Sequence, residues 1–217
     1  MKDFQREFIE FAIKNKVLTF GSFELKSGRI SPYFFNAGLF ATGDALRQLG
    51  KFYACALRDS ALEYDVLFGP AYKGIPLVST LCVALSALFG VDARLSFNRK
   101  EKKDHGEKGN IVGTAITAGS RVVVVDDVIT AGTAIRESVS LITGQGATLN
   151  GVLIALDRQE KGMGGTDKSA IQQVEDEFGI TVVSIVNLGL VLEYLQQIGG
   201  YEKAVADIIE YRKQYGV

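Results

Sequence analysis

The stretch RVVVVDDVITAGTAIRE, Arg121 to Glu137, joins four consecutive valines to two acids, a small-residue turn around Gly132 and the start of a helix. An unbroken β-branched run reads as a strand buried on both faces, as in a parallel sheet covered by helices. In such a sheet the loop leaving a central strand faces a crevice, and the NH groups opening the next helix point into it. Thr130-Ala131-Gly132-Thr133 offers two hydroxyls and a backbone free to approach a phosphate. Asp126 and Asp127 offer acceptors for ligand hydroxyls or a metal, more than helix capping requires. A phosphorylated sugar satisfies both halves. The stretch is neither a GxxxxGK[ST] loop nor a GxGxxG turn, so nucleotide folds of those two types are set aside.

Working outward, the chain alternates strand and helix five times, which predicts an α/β fold with a central, mainly parallel sheet flanked by helices. Phe4, Phe8, Phe11 and Ala12 form the apolar stripe of a first helix. Residues 18–36 read as a hairpin or flap, so 1–40 is expected to be a helix and a small hood. A helix over 43–58 leads to a strand over 65–68 and a second strand-to-helix turn, Gly69-Pro70-Ala71-Tyr72-Lys73-Gly74. After a helix over 75–89 and a strand over 93–97 comes 98–110, where Lys, Arg and acids are packed between glycines without apolar anchors. That composition predicts a mobile loop. Beyond the opening stretch, helices are expected to about 143, over 169–178 and over 188–197, and strands over 147–156 and 181–186. A last helix carries Val205, Ile208 and Ile209 on one face.

The chain has 217 residues, 47% hydrophobic and 23% charged, with a formal net charge of -1. These values predict a single globular domain over 1–217 and give no basic stripe for nucleic acid. Cys55 and Cys82 lack metal-site spacing and read as reduced thiols. The uncharged run 74–91 contains Pro76, Ser79, Thr80 and Ser86 and suits a buried helix better than a membrane span. Met1 opens directly into an amphipathic pattern with no signal-peptide block, so the cytoplasm is the expected location.

VVVVDDVITAGTA closely resembles the 5-phosphoribosyl 1-diphosphate (PRPP) motif of the type I phosphoribosyltransferases. Taken with SFELKSGRISPYFFNAGLF, FGPAYKGIP, FNRKEKKDHGE and ALDRQE, the sequence from Ser22 to Glu160 resembles the orotate phosphoribosyltransferase family. The resemblance implies the type I phosphoribosyltransferase fold, with the hood and with 98–110 as a mobile catalytic loop. Asp126 and Asp127 would accept hydrogen bonds from the ribose hydroxyls. The segment Val128, Ile129, Thr130, Ala131, Gly132, Thr133 and Ala134 would hold PRPP, its turn gripping the 5-phosphate. Lys26, Tyr72, Lys73, Arg99, Lys100, Lys103 and His105 would complete the PRPP site. Lys26, Phe34, Phe35, Thr130 and Arg158 would surround orotate, with the Arg158 guanidinium gripping its carboxylate.

The implied catalytic set is Lys73, Arg99, Lys103, His105 and Asp127, with Lys103 or His105 donating a proton. His105 is the single histidine, set among lysines and glycine where nothing apolar is available to pack on. Lys102 and Lys108 depart from the family loop and lie outside these contacts. The implied reaction is orotate plus PRPP giving orotidine 5-monophosphate and pyrophosphate, in pyrimidine biosynthesis. The implied cofactor is Mg2+, held mainly by the diphosphate and reaching Asp126 or Asp127 through water. The implied partner is a second copy, in a homodimer whose subunits share the loop. Two rivals are a phosphoribosyltransferase for another base and a PRPP-sensing regulator. The regulator needs a basic extension for which the chain has no room.

Overall fold

A computed structural model describes residues 1–25, 27–103, 109–162 and 167–217, with only the backbone at 102, 103 and 109. Helix α1 (Asp3–Lys14) leads into an antiparallel hairpin, β1 (Leu18–Glu24) and β2 (Ile30–Phe35), which is the hood. Then follow α2 (Gly43–Asp59), β3 (Val66–Gly69), α3 (Gly74–Phe89), β4 (Leu95–Lys103), β5 (Gly109–Gly113) and β6 (Arg121–Val125). The remainder is α4 (Thr133–Thr143), β7 (Thr148–Asp157), α5 (Ala170–Phe178), β8 (Thr181–Asn187), α6 (Leu188–Ile198) and α7 (Glu202–Tyr215).

The main sheet has the order β5-β4-β3-β6-β7-β8, parallel except for β5. From β3 the chain steps outward to β4, and from β6 it steps the other way to β7. The strand order therefore reverses between β3 and β6, and crevices for ligands open at such switch points. The four valines of β6 are each fully buried. Val123 and Val125 join the core under α1, α2, α3, α6 and α7, whereas Val122 and Val124 join the core under α4 and α5. Side chains of a strand alternate between faces, so a strand with a core on each side must be apolar at every position.

Two expectations need correction. Residues 98–103 and 109–110, expected in a loop, are strand: β4 runs on to Lys103 and pairs antiparallel with β5, with a register shift between Asn98 and Lys103. A two-stranded ribbon is held by backbone hydrogen bonds, so its charged side chains gave no strand pattern. Residues 104–108, with His105, lie outside the described residues, as does Lys26. The C-terminal helix buries Ile208 but leaves Ile209 38% exposed, because Tyr211 is the next inward-facing residue. Cys55 and Cys82 are both free thiols, on α2 and α3. Among the described residues no helix is long and apolar enough to cross a membrane.

Candidate active site

At the end of β6 the backbone of the acid pair is tied down on several sides. Asp126 N donates to Leu153 O at 3.0 Å, Ala155 N donates to Asp127 O at 2.9 Å, and the Tyr53 hydroxyl of α2 donates to Asp126 O at 2.8 Å. The two carboxylates cap their own turn, Asp126 Oδ1 accepting from Asp127 N and Asp127 Oδ1 from Val128 N, at 2.8 and 3.0 Å. Burial, then the adjacent charge of Asp127, pushes the Asp126 carboxyl up to about 7. Burial also raises the Tyr53 phenol, with the charges of Asp127 and Asp126 adding to it. A rigid, desolvated acid pair of this kind is costly unless a ligand or cation answers it.

The turn after β3 supplies one such cation. Lys73 Nζ donates to Asp127 Oδ2 at 2.9 Å, bridging the two strands on either side of the switch point. The Lys73 side chain is 61% exposed and that of Asp127 8%, so the lysine reaches down to the acid from the crevice mouth. The turn is built backbone on backbone: a Cβ on Gly69 would lie 2.3 Å from Gly74 O, and one on Gly74 2.5 Å from Pro70 Cδ. Asn98 of β4 accepts from Ala71 N at 2.7 Å and fixes the turn to the neighbouring strand. Tyr72 is 67% exposed, and Lys100 of β4 holds its ammonium 5.2 Å from the Tyr72 ring centroid. Arg99, also on β4, is half-buried. Of Lys103 only the backbone is described, at the end of β4.

Past the acids, Val128 packs on one core and Ile129 is buried in the other. Ile129 therefore offers a ligand mainly its backbone, whereas Val128 is only partly buried. Thr130, Ala131, Thr133 and Ala134 are exposed around Gly132, which has φ 72° and is the N-cap of α4 with no side chain capping it. Glycine is what that left-handed φ favours. The NH groups opening α4 thus meet no capping side chain, the arrangement that binds anions. Arg136 braces the turn, donating from Nη1 to Ala131 O at 2.7 Å while pairing with Glu177 of α5 at 2.7 Å. The acids do not cap α4, so the sequence argument that they exceed capping needs agrees with the geometry.

The end of β7 and the hood close the other side. Phe34 is 41% exposed and stacks on Phe23 with centroids 5.6 Å apart, while Phe35 packs against the core. Arg158 follows β7, and Tyr33 and Glu160 hold it: its Nε donates to the Tyr33 hydroxyl at 3.1 Å and to Glu160 Oε1 at 3.2 Å, and its Nη2 to Glu160 Oε1 at 3.1 Å. The Tyr33 hydroxyl in turn donates to Glu160 Oε1. Sequence reasoning missed Tyr33, Glu160, Arg136 and Tyr53. Tyr33 and Glu160 sit inside the very blocks that carried the resemblance, but their pairing spans 127 residues of sequence and no local pattern announces it. Among the described residues no group of three or more His, Cys, Asp or Glu could hold a metal ion. A cavity of about 430 Å³ between α1 and α2 contains none of the predicted residues.

Comparison with known proteins agrees with this geometry. Residues 41–185 match the family model for the phosphoribosyl transferase domain. The chain is 58% identical to the orotate phosphoribosyltransferase of Vibrio parahaemolyticus over 217 residues, covering 100% of both chains. A crystal structure of orotate phosphoribosyltransferase from Francisella tularensis superposes with a TM-score of 0.89 at 44% identity, covering 97% of this chain and 100% of that one. The Mycobacterium tuberculosis enzyme in complex with PRPP shares the fold, with a TM-score of 0.63 at 21% identity, covering 87% of this chain and 98% of that one. A switch-point crevice with a buried acid pair, a lysine turn and an uncapped helix start, in a chain this similar throughout to those relatives, belongs to the orotate phosphoribosyltransferase family.

Proposed function

We propose that this chain, as a single phosphoribosyltransferase domain, moves the 5-phosphoribosyl group of PRPP to orotate, releasing pyrophosphate and forming orotidine 5-monophosphate in the cytoplasm. The observation that carries the reading is the contact between Lys73 and Asp127, which brings the diphosphate turn and the ribose acids to one point at the switch in strand order. The ribose 2- and 3-hydroxyls donate to Asp126 and Asp127, and a hydroxyl reaching Asp127 competes for the oxygen that Lys73 holds. The NH groups at Thr133 and Ala134 and the hydroxyls of Thr130 and Thr133 take the 5-phosphate. Tyr72, Lys73, Arg99 and Lys100, joined by Lys26, Lys103 and His105, surround the diphosphate. Phe34 and Phe35 wall the base, Thr130 meets it from the sugar side, and Arg158 takes its carboxylate.

In this reading the C1–O bond to pyrophosphate breaks as orotate nitrogen bonds to C1, through an oxocarbenium-like state. No protein nucleophile is needed. The protein answers charge building on the leaving group with Lys73, Arg99, Lys100 and Lys103, and Lys103 or His105 supplies a proton. Two adjacent carboxylates are hard oxygen donors suited to Mg2+, yet too few to cage it, which fits an ion held mainly by the diphosphate. When bound, Mg2+ neutralises diphosphate charge. The unit is a homodimer in which the partner lends residues of 98–110, the ends of its β4 and β5 with the segment that joins them, to exclude water.

The test is pyrophosphate release from PRPP and Mg2+ with orotate, uracil, hypoxanthine or adenine offered as the base. Turnover with orotate alone is expected. Preferred turnover with a purine overturns the reading in favour of a different phosphoribosyltransferase, and binding of PRPP without turnover favours a sensor.

A further inference from the structure

The arginine assigned to the base carboxylate is not free to swing. Its guanidinium is planar, with Nε and Nη2 along one edge and Nη1 at the other end. Glu160 Oε1 takes both donors of the first edge, at 3.2 and 3.1 Å, and Tyr33 adds a third contact to Nε at 3.1 Å. Nη1 makes no hydrogen bond to a described residue, so the Nη1–Nη2 end remains for a ligand. The Tyr33 ring lies beside the cation at 5.3 Å and is itself fully buried. Burial holds the Tyr33 phenol well above its ordinary value, so it stays a proton donor to Glu160.

Glu160 is fixed from behind as well. Residues 159–161 pair with the chain's last described segment: Lys161 N donates to Tyr215 O at 2.7 Å and Val217 N to Gln159 O at 3.1 Å, and Glu160 bridges Gly216. Arg29, next to the hood strand β2, donates to Lys161 O at 2.9 Å and lies over the Tyr215 ring at 4.8 Å.

We propose that Glu160, seated by Tyr33 and by the 215–217 segment, is a positioning residue that presets Arg158 with its outer end aimed at the carboxylate of the base. This rests on the functional reading above and adds to it the group that makes the arginine selective. A loose arginine attracts any anion, whereas one whose charge is already met by a glutamate gains most from a planar carboxylate matching its two remaining parallel donors. The negative charge of Glu160 repels the substrate carboxylate, so its contribution must come through geometry rather than charge, and that gives the test its sign.

The experiment measures KM for orotate and for PRPP, and thermal midpoints, in Glu160→Gln, Glu160→Ala, Tyr33→Phe, Arg158→Ala and the double variant Glu160→Ala/Arg158→Ala. Glutamine keeps an acceptor oxygen without the charge, so its orotate KM should stay within about threefold of wild type. Glu160→Ala should raise orotate KM about tenfold or more, a difference on the order of one 1.4 kcal/mol step, with KM for PRPP within about twofold. In the Arg158→Ala background, removing Glu160 should change orotate KM no further, because a residue acting through another has nothing left to act on. Equal losses for both substrates, a lowered orotate KM in Glu160→Ala, or additive losses in the double variant overturn the proposal. A wild-type chain without orotate-dependent pyrophosphate release overturns the functional reading itself, an outcome distinct from these.

Discussion

Replacing Asp126 with asparagine should make the ligand-free protein more stable, by an amount that grows from about pH 4 and levels off above about pH 7. Burial and the neighbouring Asp127 raise the Asp126 carboxyl from 3.8 to about 7. A carboxyl raised on folding binds its proton more tightly in the native state than in the unfolded one. Its contribution to stability is therefore fully present below about pH 4 and is lost as pH rises through about 7. Roughly three pH units at about 1.4 kcal/mol each bound the loss at about 4 kcal/mol, and sharing the proton with Asp127 reduces it to about 2–4 kcal/mol. Asparagine is never charged, and its carbonyl can still accept the 2.8 Å hydrogen bond from Asp127 N. For a chain of this size that range corresponds to a rise in Tm of about 4–16 °C at pH 8. At pH 5 the difference should fall to about 40% of its pH 8 value, and below about pH 4 it should vanish. Calorimetric or circular-dichroism melts at pH 5, 6, 7 and 8 without ligands provide the check. A Tm difference independent of pH, or a destabilised variant at pH 8, would refute the reasoning. The same variant should lose turnover, since the oxygen it neutralises is a proposed acceptor for ribose.

Three other perturbations probe separate parts of the structure. Lys73→Ala should lower kcat about 100- to 1,000-fold, the effect of losing one group that stabilises developing charge, and near-normal turnover would remove Lys73 from the leaving-group set. Arg136→Ala frees the Ala131 carbonyl and the link to Glu177; it should raise KM for PRPP about tenfold with little change for orotate, and steady-state kinetics in which both rise together would contradict a local brace. Gly50→Ala places a Cβ 2.4 Å from the Thr80 carbonyl oxygen where α2 crosses α3, so a loss of about 1–3 kcal/mol is expected in urea unfolding with an unchanged m-value, and an unaltered midpoint would mean the helices can part there at no cost.

The centre of the fold was legible because one physical demand shaped it. A strand covered on both faces must be apolar at every step, and Val122 to Val125 announce that without knowledge of their neighbours. The turns after β3 and β6 were equally readable, since glycine, lysine and acids at a strand-to-helix junction have few structural uses. What stayed hidden depends on partners far along the chain. Residues 98–103 form strand because β5 pairs with them, not because their side chains alternate. Glu160 and Tyr33 become significant only when the hood folds across the end of β7. Ile209 resembled its neighbour Ile208 in sequence, and only the docking of α7 decided which of the two is buried. Val128 and Ile129, named by the resemblance as ligand residues, also pack their side chains, Val128 partly buried against one core and Ile129 buried in the other.

The glycine-on-glycine turn between β3 and α3 has a bearing on how this protein could be altered. Gly69 and Gly74 each face main chain or a proline ring at distances no added side chain tolerates, so neither can be varied while the other stays put. Between them, Tyr72 and Lys73 stand clear, at 67% exposure for the residue and 61% for the side chain. A variant library aimed at a different polyanion therefore has two positions to explore there, framed by two that must be left alone. The frame also sets the reach: whatever replaces Lys73 starts from the same backbone point opposite Asp127, and can be made longer, shorter or neutral, but not moved.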